Sequence, residues 1–235
     1  MRLLPIVLAV ALTLPGVAEA QAPRITVTFP AARSSAPIDG RVLVYITPDT
    51  TAEPRFQVSD AVTTGQVTGV DVDGWRPGTP TVVDGNAFGY PLASLRDLKP
   101  GRYRVQALVN RYETFRRSDG HTVKLPPDHW EGQQLTRKPG NLYSKPVNVT
   151  VTANSRITLE LTEEIPPVAD FSRQETKYVK YLRIRSERLS QFWGRDMYLG
   201  AWVLLPEGFD SHPDARYPLV INHGHFPSGV DGFRE

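Results

Sequence analysis

His223 and His225 flank Gly224 directly after an apolar run, Tyr217-Pro218-Leu219-Val220-Ile221-Asn222. A His-x-His pair can present two imidazoles to one metal ion, and His212, with Asp210 and Asp214 flanking it, lies eleven residues upstream of His223. Zinc accepts such ligands. Ligand type without geometry is poor evidence, however, and the glycine and its loop setting fit a backbone turn at the end of a strand better than a metal pair. Gly224 gives that turn its freedom. No metal and no cofactor are expected. Asp128, His129 and Glu131, in the stretch PDHWEG, form a second cluster, which reads as a solvated loop anchored by Trp130. The chain contains no Cys, which excludes a disulfide framework, a thiolate metal site and a Cys nucleophile.

These residues need elements to hold them. From residue 24 to 162 the pattern has period two, as half-buried strands require. Ile25, Val27 and Phe29 form one apolar face; Val42, Val44 and Ile46 form the next. Tyr103, Val105, Ala107 and Val109 follow, then Val147, Val149 and Val151, then Ile157, Leu159 and Leu161. Turn residues fall between the runs, at Ile38-Asp39-Gly40, Asp73-Gly74, Asp84-Gly85, Lys99-Pro100-Gly101 and Ala153-Asn154. No helical period is evident there. The fold class predicted is mostly β: an antiparallel, Ig-like β-sandwich over residues 24–162.

Residues 111–145 interrupt the alternation with aromatic, charged and turn residues. A connection this long without a period is usually functional or packed on something else. Residues 163–176, opening on Glu163-Glu164-Ile165-Pro166-Pro167, read as a linker. Beyond it, residues 178–185 and 197–205 read as strands, residues 190–195 as a turn, and residues 217–222 as a strand buried on both faces, as in a central sheet. A buried central strand needs covering neighbours, so the chain is expected to be truncated. The basic residues from Arg173 to Arg195 mark solvent-facing or edge positions. The Asn148-Val149-Thr150 sequon lies within a strand and is read as chance.

The N-terminus has a secretory plan: a basic start at Arg2, an apolar run to Val17, and a small-x-small site, Ala18-Glu19-Ala20. Residues 1–20 are expected to be a cleaved signal peptide of a bacterial exported protein, periplasmic or extracellular, with no membrane attachment afterwards. A net charge of +2 from 27 basic and 25 acidic residues gives no reason to expect nucleic acid. The hydrophobic fraction of 40% excludes general disorder.

The stretch Gly194-Arg195, then LPEGFD, then RYPLVINHGH resembles the N-terminal edge of α/β-hydrolases of the esterase kind that includes feruloyl and S-formylglutathione esterases. There the two early strands form an antiparallel edge and the buried strand leads into the oxyanion loop. PGRYRVQALVNRYETF, DHWEGQ and GNLYS are similar to the β-rich region that precedes such a domain in large exported bacterial proteins. The resemblance implies that residues 177–235 are the incomplete start of an α/β-hydrolase domain. It also implies that Gly224 and His225 belong to the oxyanion loop, with the His225 N–H as donor, and that the substrate is a small ester. Such N–H groups stabilise the developing alkoxide by about 2.7–4 kcal/mol each. No G-x-S-x-G is present, and Ser228 is too near the end to stand for one. Nucleophile, acid and base should all follow the oxyanion loop, so this chain alone is expected to be inactive, with no catalytic residue assigned. The alternative is a non-catalytic exported β module for binding or docking, with Tyr112, Phe115, Trp130 and Tyr143 as anchors for sugars or proteins.

Overall fold

The computed structural model describes residues 21–169 and 174–222. Expectations for the leader, residues 1–20, and for His223, Gly224, His225 and Ser228 lie outside the described residues.

The chain is mostly β. The first half of the molecule holds β1 (Arg24–Thr28), β2 (Ile38–Thr47), β3 (Gln66–Trp75), β4 (Thr81–Val83), β5 (Gly89–Tyr90) and β6 (Gly101–Arg111). Then come β7 (Glu113–Arg116), β8 (Thr122–Leu125), β9 (Leu142–Tyr143), β10 (Val147–Val151), β11 (Arg156–Glu160) and β12 (Glu163–Glu164). The last described elements are β13 (Val179–Arg185), the helix α1 (Glu187–Trp193) and β14 (Tyr198–Leu204).

One sheet has the order β11-β1-β4; a larger one runs β12-β9-β6-β2-β3-β5, with β10 also on β6. The alternating residues of the two sheets meet in one core. Ile25, Val27, Phe29, Ile157 and Leu159 come from the smaller sheet's segment; Val42, Val44, Ile46, Val105, Ala107 and Val109 come from the larger. Phe29 sets its ring edge-on to Trp75, with centroids 4.6 Å apart. The pairing is not wholly antiparallel as expected: β1 and β11 run parallel, Arg24 opposite Arg156 and Ile25 opposite Ile157. Alternation specifies which face is buried and is silent on strand direction.

β2 and β6 are buried on both faces. Tyr45 and Leu108, on the outer side, form a second small core with Ile165, joined by Leu43, Val58, Leu135 and Tyr143. Gln106 organises the polar part of that side. Its Nε2 donates to Glu53 Oε2 at 2.8 Å and to the Ser144 carbonyl at 2.9 Å, and its Oε1 accepts from the Arg55 N–H. Ser144 spans the gap between β9 and β10, both of which pair with β6. Its N–H donates to the Ala107 carbonyl at 2.9 Å, and its Oγ accepts from the Ala107 N–H at 3.0 Å. The buried backbone groups at this break are therefore paired, as they must be.

Several expectations are corrected. Ile38-Asp39-Gly40 is not a turn but the bulged start of β2. A Cβ on Gly40 would stand 2.3 Å from the Asn110 carbonyl oxygen, so only glycine lets β2 and β6 close there. Asp73-Gly74 ends β3, a strand hidden by its two aspartates and two glycines. Residues 111–145 are not a plain loop: they contain the hairpin β7–β8, with Phe115 opposite Val123, and β9. Glu163 and Glu164 are not linker but pair with Tyr143 and Leu142, which carries Ile165 into the core. Residues 190–195 are not a turn; most belong to α1, capped by Ser186 Oγ, which accepts from Leu189 N–H, and ended by Gly194 at φ 65°. Seven residues are too few to display a helical period. Residues 217–222 form no strand: Leu219, Val220 and Ile221 are 80%, 86% and 79% exposed.

Phe29→Ala should lower the unfolding free energy by about 3–5 kcal/mol in urea titration, since it removes both buried area and the ring contact. A loss under about 1 kcal/mol would mean that the two sheets do not share this core.

Candidate functional site

The chemistry-bearing residues of the described chain gather where β7–β8 and the segment 126–141 meet β13, α1 and β14. Phe115 is buried, with its ring 5.4 Å from that of Trp193 at 70°, while the Arg195 guanidinium lies 5.0 Å from its centroid. The Ser118 N–H donates to the Phe192 carbonyl at 2.8 Å, and the Arg117 guanidinium stacks 4.9 Å over the Phe192 ring.

Glu113 is the charged centre of this seam. One carboxylate oxygen accepts from Arg195, and the other lies 3.3 Å from His129 Nε2. Burial pushes the carboxyl up, but Arg195 and His129 outweigh it and hold the group below the ordinary glutamate range. Lys138 lies deeper, 2% exposed. Its Nζ donates to the Arg111 carbonyl and stands 3.5 Å from Asn110 Oδ1. Asn141, also buried, donates from Nδ2 to the Leu135 carbonyl at 2.8 Å and accepts from the Arg111 N–H at 2.9 Å. Burial pushes the Lys138 amine down to about 8, against the pull of Glu131 and Glu113.

The cluster Asp128, His129 and Glu131 folds its own loop. Asp128 Oδ1 accepts from the Gly132 N–H and Glu131 Oε2 from the His129 N–H at 2.6 Å. Burial raises the Glu131 carboxyl, with Asp128 adding to the effect. His212 Nδ1 lies 2.9 Å from the Gly208 carbonyl, inside a local turn. Among the described residues no group of three or more His, Cys, Asp or Glu is placed to hold a metal ion.

Trp130, at φ 75°, reaches across to β14. A Cβ on Gly200 would stand 2.8 Å from the Trp130 ring and 2.7 Å from Tyr181 Oη, so glycine is what admits the indole. The Arg183 guanidinium sits 3.9 Å over the Tyr198 ring and 5.9 Å from Trp130, and the Tyr181 ring lies 4.9 Å from that of Trp202, tilted by 53°. The register of β13 and β14 sorts the side chains into two faces. Tyr181, Arg183, Trp202, Gly200 and Tyr198 share the face under Trp130; Leu182, Ile184, Leu199, Ala201 and Val203 share the other. On that second face Leu182, Ile184 and Leu199 are about half exposed.

Of the four aromatic anchors, Phe115 and Trp130 are thus engaged within the chain, against Trp193 and Gly200. Tyr143 lies on the outer side of the large sheet, 4.1 Å beneath the Arg55 guanidinium. Tyr112 is half-buried at the end of β6, its N–H donating to the Asp39 carbonyl. The four do not form one surface. The roles of Glu113 and Lys138 were not legible from their spacing; Lys138 stands in Arg137-Lys138-Pro139-Gly140, which reads as an exposed turn. Comparison with family models, curated proteins and solved structures finds no match for this chain.

The depressed Glu113 carboxyl contributes stability above its unfolded pKa of about 4.3 and loses that contribution as pH falls through its lower folded value. Glu113→Gln should therefore reduce stability at neutral pH and narrow its gap from the parent in the acid range, read as chemical denaturation midpoints from pH 7 to pH 3. A gap independent of pH would show that the Arg195 and His129 pairings contribute nothing.

Proposed function

We propose that this chain is the N-terminal part of an exported serine esterase-like hydrolase. In this reading an Ig-like β-sandwich precedes the opening strands of an α/β-hydrolase domain. The observation that carries the reading is the second face of the β13–β14 pair. Leu182, Ile184, Leu199 and Ala201 form an exposed apolar surface on the face away from Trp130, and the apolar run Leu219-Val220-Ile221 is exposed as well. Contiguous apolar surface of this kind marks an interaction face. A sheet continuing from β13–β14, with residues 217–222 as one of its central strands and further elements packed on its open face, would bury both.

The chemistry in this reading is acyl transfer from a small ester to a serine, then to water. The strand ending at Asn222 would deliver Gly224 and the His225 N–H to the edge of the sheet, where that N–H would donate to the oxyanion of the tetrahedral intermediate. The serine, its acid and its histidine would follow in sequence. No cofactor enters this scheme. Export with removal of residues 1–20 would leave Gln21 as the first residue.

The reading frame beyond codon 235 should encode a G-x-S-x-G within a normal domain length. The complete product should react with a fluorophosphonate probe at that serine and hydrolyse p-nitrophenyl or feruloyl esters, while residues 1–235 alone should do neither. A complete product with no such motif and no labelled serine would end the hydrolase reading. Intact mass of the exported protein tests the leader, with Gln21 expected at the start.

A further inference from the structure

Two aromatic side chains at the β5 edge of the larger sheet stand bare. Phe88 is 71% exposed and Tyr90 45% exposed. Among the described residues neither side chain has a hydrogen bond or a ring contact. The register puts both on the outer face. Tyr90 is opposite Val67, and Val67 is opposite Tyr45, a member of the outer core. One step along, the Gly69 N–H donates to the Phe88 carbonyl at 3.2 Å, and Gly69 is opposite Leu43. Side chains two apart on an extended chain share a face and stand about 6.8 Å from each other. These two rows, Tyr90-Val67-Tyr45 and Phe88-Gly69-Leu43, carry no charge, and in the next row Arg41 and Asp71 neutralise each other at 2.9 Å.

The backbone beneath the rings is fixed. Gln66 is buried, and its Nε2 donates to the Leu92 carbonyl at 2.9 Å while its Oε1 accepts from the Leu92 N–H at 2.9 Å. The Gly89 N–H donates to the Ala93 carbonyl at 3.1 Å, and Thr68 Oγ1 donates to the Phe88 carbonyl at 3.1 Å. A Cβ on Gly89 would stand 2.5 Å from Gln66 Nε2, so the turn is closed on its own strand and offers no free ladder there to an added strand. Rings held on a rigid element lose little freedom when a ligand stacks on them. The area decides the kind of ligand. The two rings expose about 200 Å² together, well short of the roughly 800 Å² per partner that a stable protein interface buries. A neutral surface gives no purchase to phosphate or nucleic acid. What fits is an uncharged molecule with apolar ring faces and polar edges, repeated at about the spacing of the two side chains. A β-1,4-linked pyranose chain is such a molecule: a flat ribbon whose C–H faces recur along a line. We propose that Phe88 and Tyr90 form a stacking platform for a β-1,4-linked glycan. The platform is separate from the esterase reading and does not depend on it.

The test is titration of the whole chain with cellohexaose, xylohexaose and N-acetylchitohexaose, by calorimetry and by the aromatic ring signals in NMR. Saturable binding of at least one of the three is expected, with the Phe88 and Tyr90 ring signals moving together. Phe88→Ala and Tyr90→Ala should each weaken it by about two- to tenfold, the range of one aromatic contact. Tyr90→Phe, which keeps the ring, should bind nearly as the parent does. All three variants should melt with the parent, because the rings are exposed and without partners, so lost binding will not be lost folding. Saturation by none of the three sugars would overturn the proposal, as would binding that survives the Phe88→Ala, Tyr90→Ala double variant. Equal binding of maltohexaose, whose α links coil the chain, would overturn the flat-ribbon fit. Concentration-dependent dimerisation in sedimentation, abolished by the double variant, would assign the rings to a second copy of the chain instead.

Discussion

The placement of β13–β14 depends on one close approach, the Trp130 indole lying on the backbone of Gly200. Two strands alone are marginal in water. Among the described residues this pair gains its support from the face that carries Trp130, where the Tyr181 ring also meets that of Trp202, while α1 and the residues after it bring Trp193 and Arg195 onto β7. Any side chain at Gly200 would displace the indole or Tyr181. One face of the pair carries Trp130 and the aromatic contacts; the other presents Leu182, Ile184 and Leu199, each about half exposed. The hydrolase reading grows from that exposed aliphatic face, which elements packed on a completed sheet would cover.

The preceding β unit is held differently. Its inner faces follow ordinary alternation, but β2 and β6 are also covered outside, and covering a sheet with loops brings polar backbone indoors. Gln106, Ser144, Asn141 and Lys138 pair those groups. Such a network is demanding, since each lost member leaves a partner desolvated, at a cost of about 1–3 kcal/mol. The same loops then carry Glu113 and Trp130 to the seam. The rigidity of the first unit is in this way what fixes the second.

Much of this was legible in the residues. Period two at Ile25, Val42, Tyr103, Val147 and Ile157 marked five of the strands, and the β13 and β14 stretches were also visible. β3 was missed because glycine and aspartate at alternate positions imitate turn chemistry. Strand direction was beyond reach for a physical reason: Arg24 and Arg156 sit side by side only because β1 and β11 run parallel, a relation set by the path of the whole chain. Glu113 and Arg195 are far apart in the chain and meet only through the docking of α1. The exposed state of Leu219, Val220 and Ile221 was likewise hidden, since hydropathy reports what a residue prefers and not what lies beside it.

Amide hydrogen exchange on the whole chain, comparing the parent with Gly200→Val, tests the one-sided support of β13–β14 most directly. Protection in residues 179–204 should collapse in the variant, while β1, β2, β6 and β11 keep theirs, because the first unit has its own core. Unchanged protection of residues 179–204, or loss of protection across the entire chain, would contradict the account.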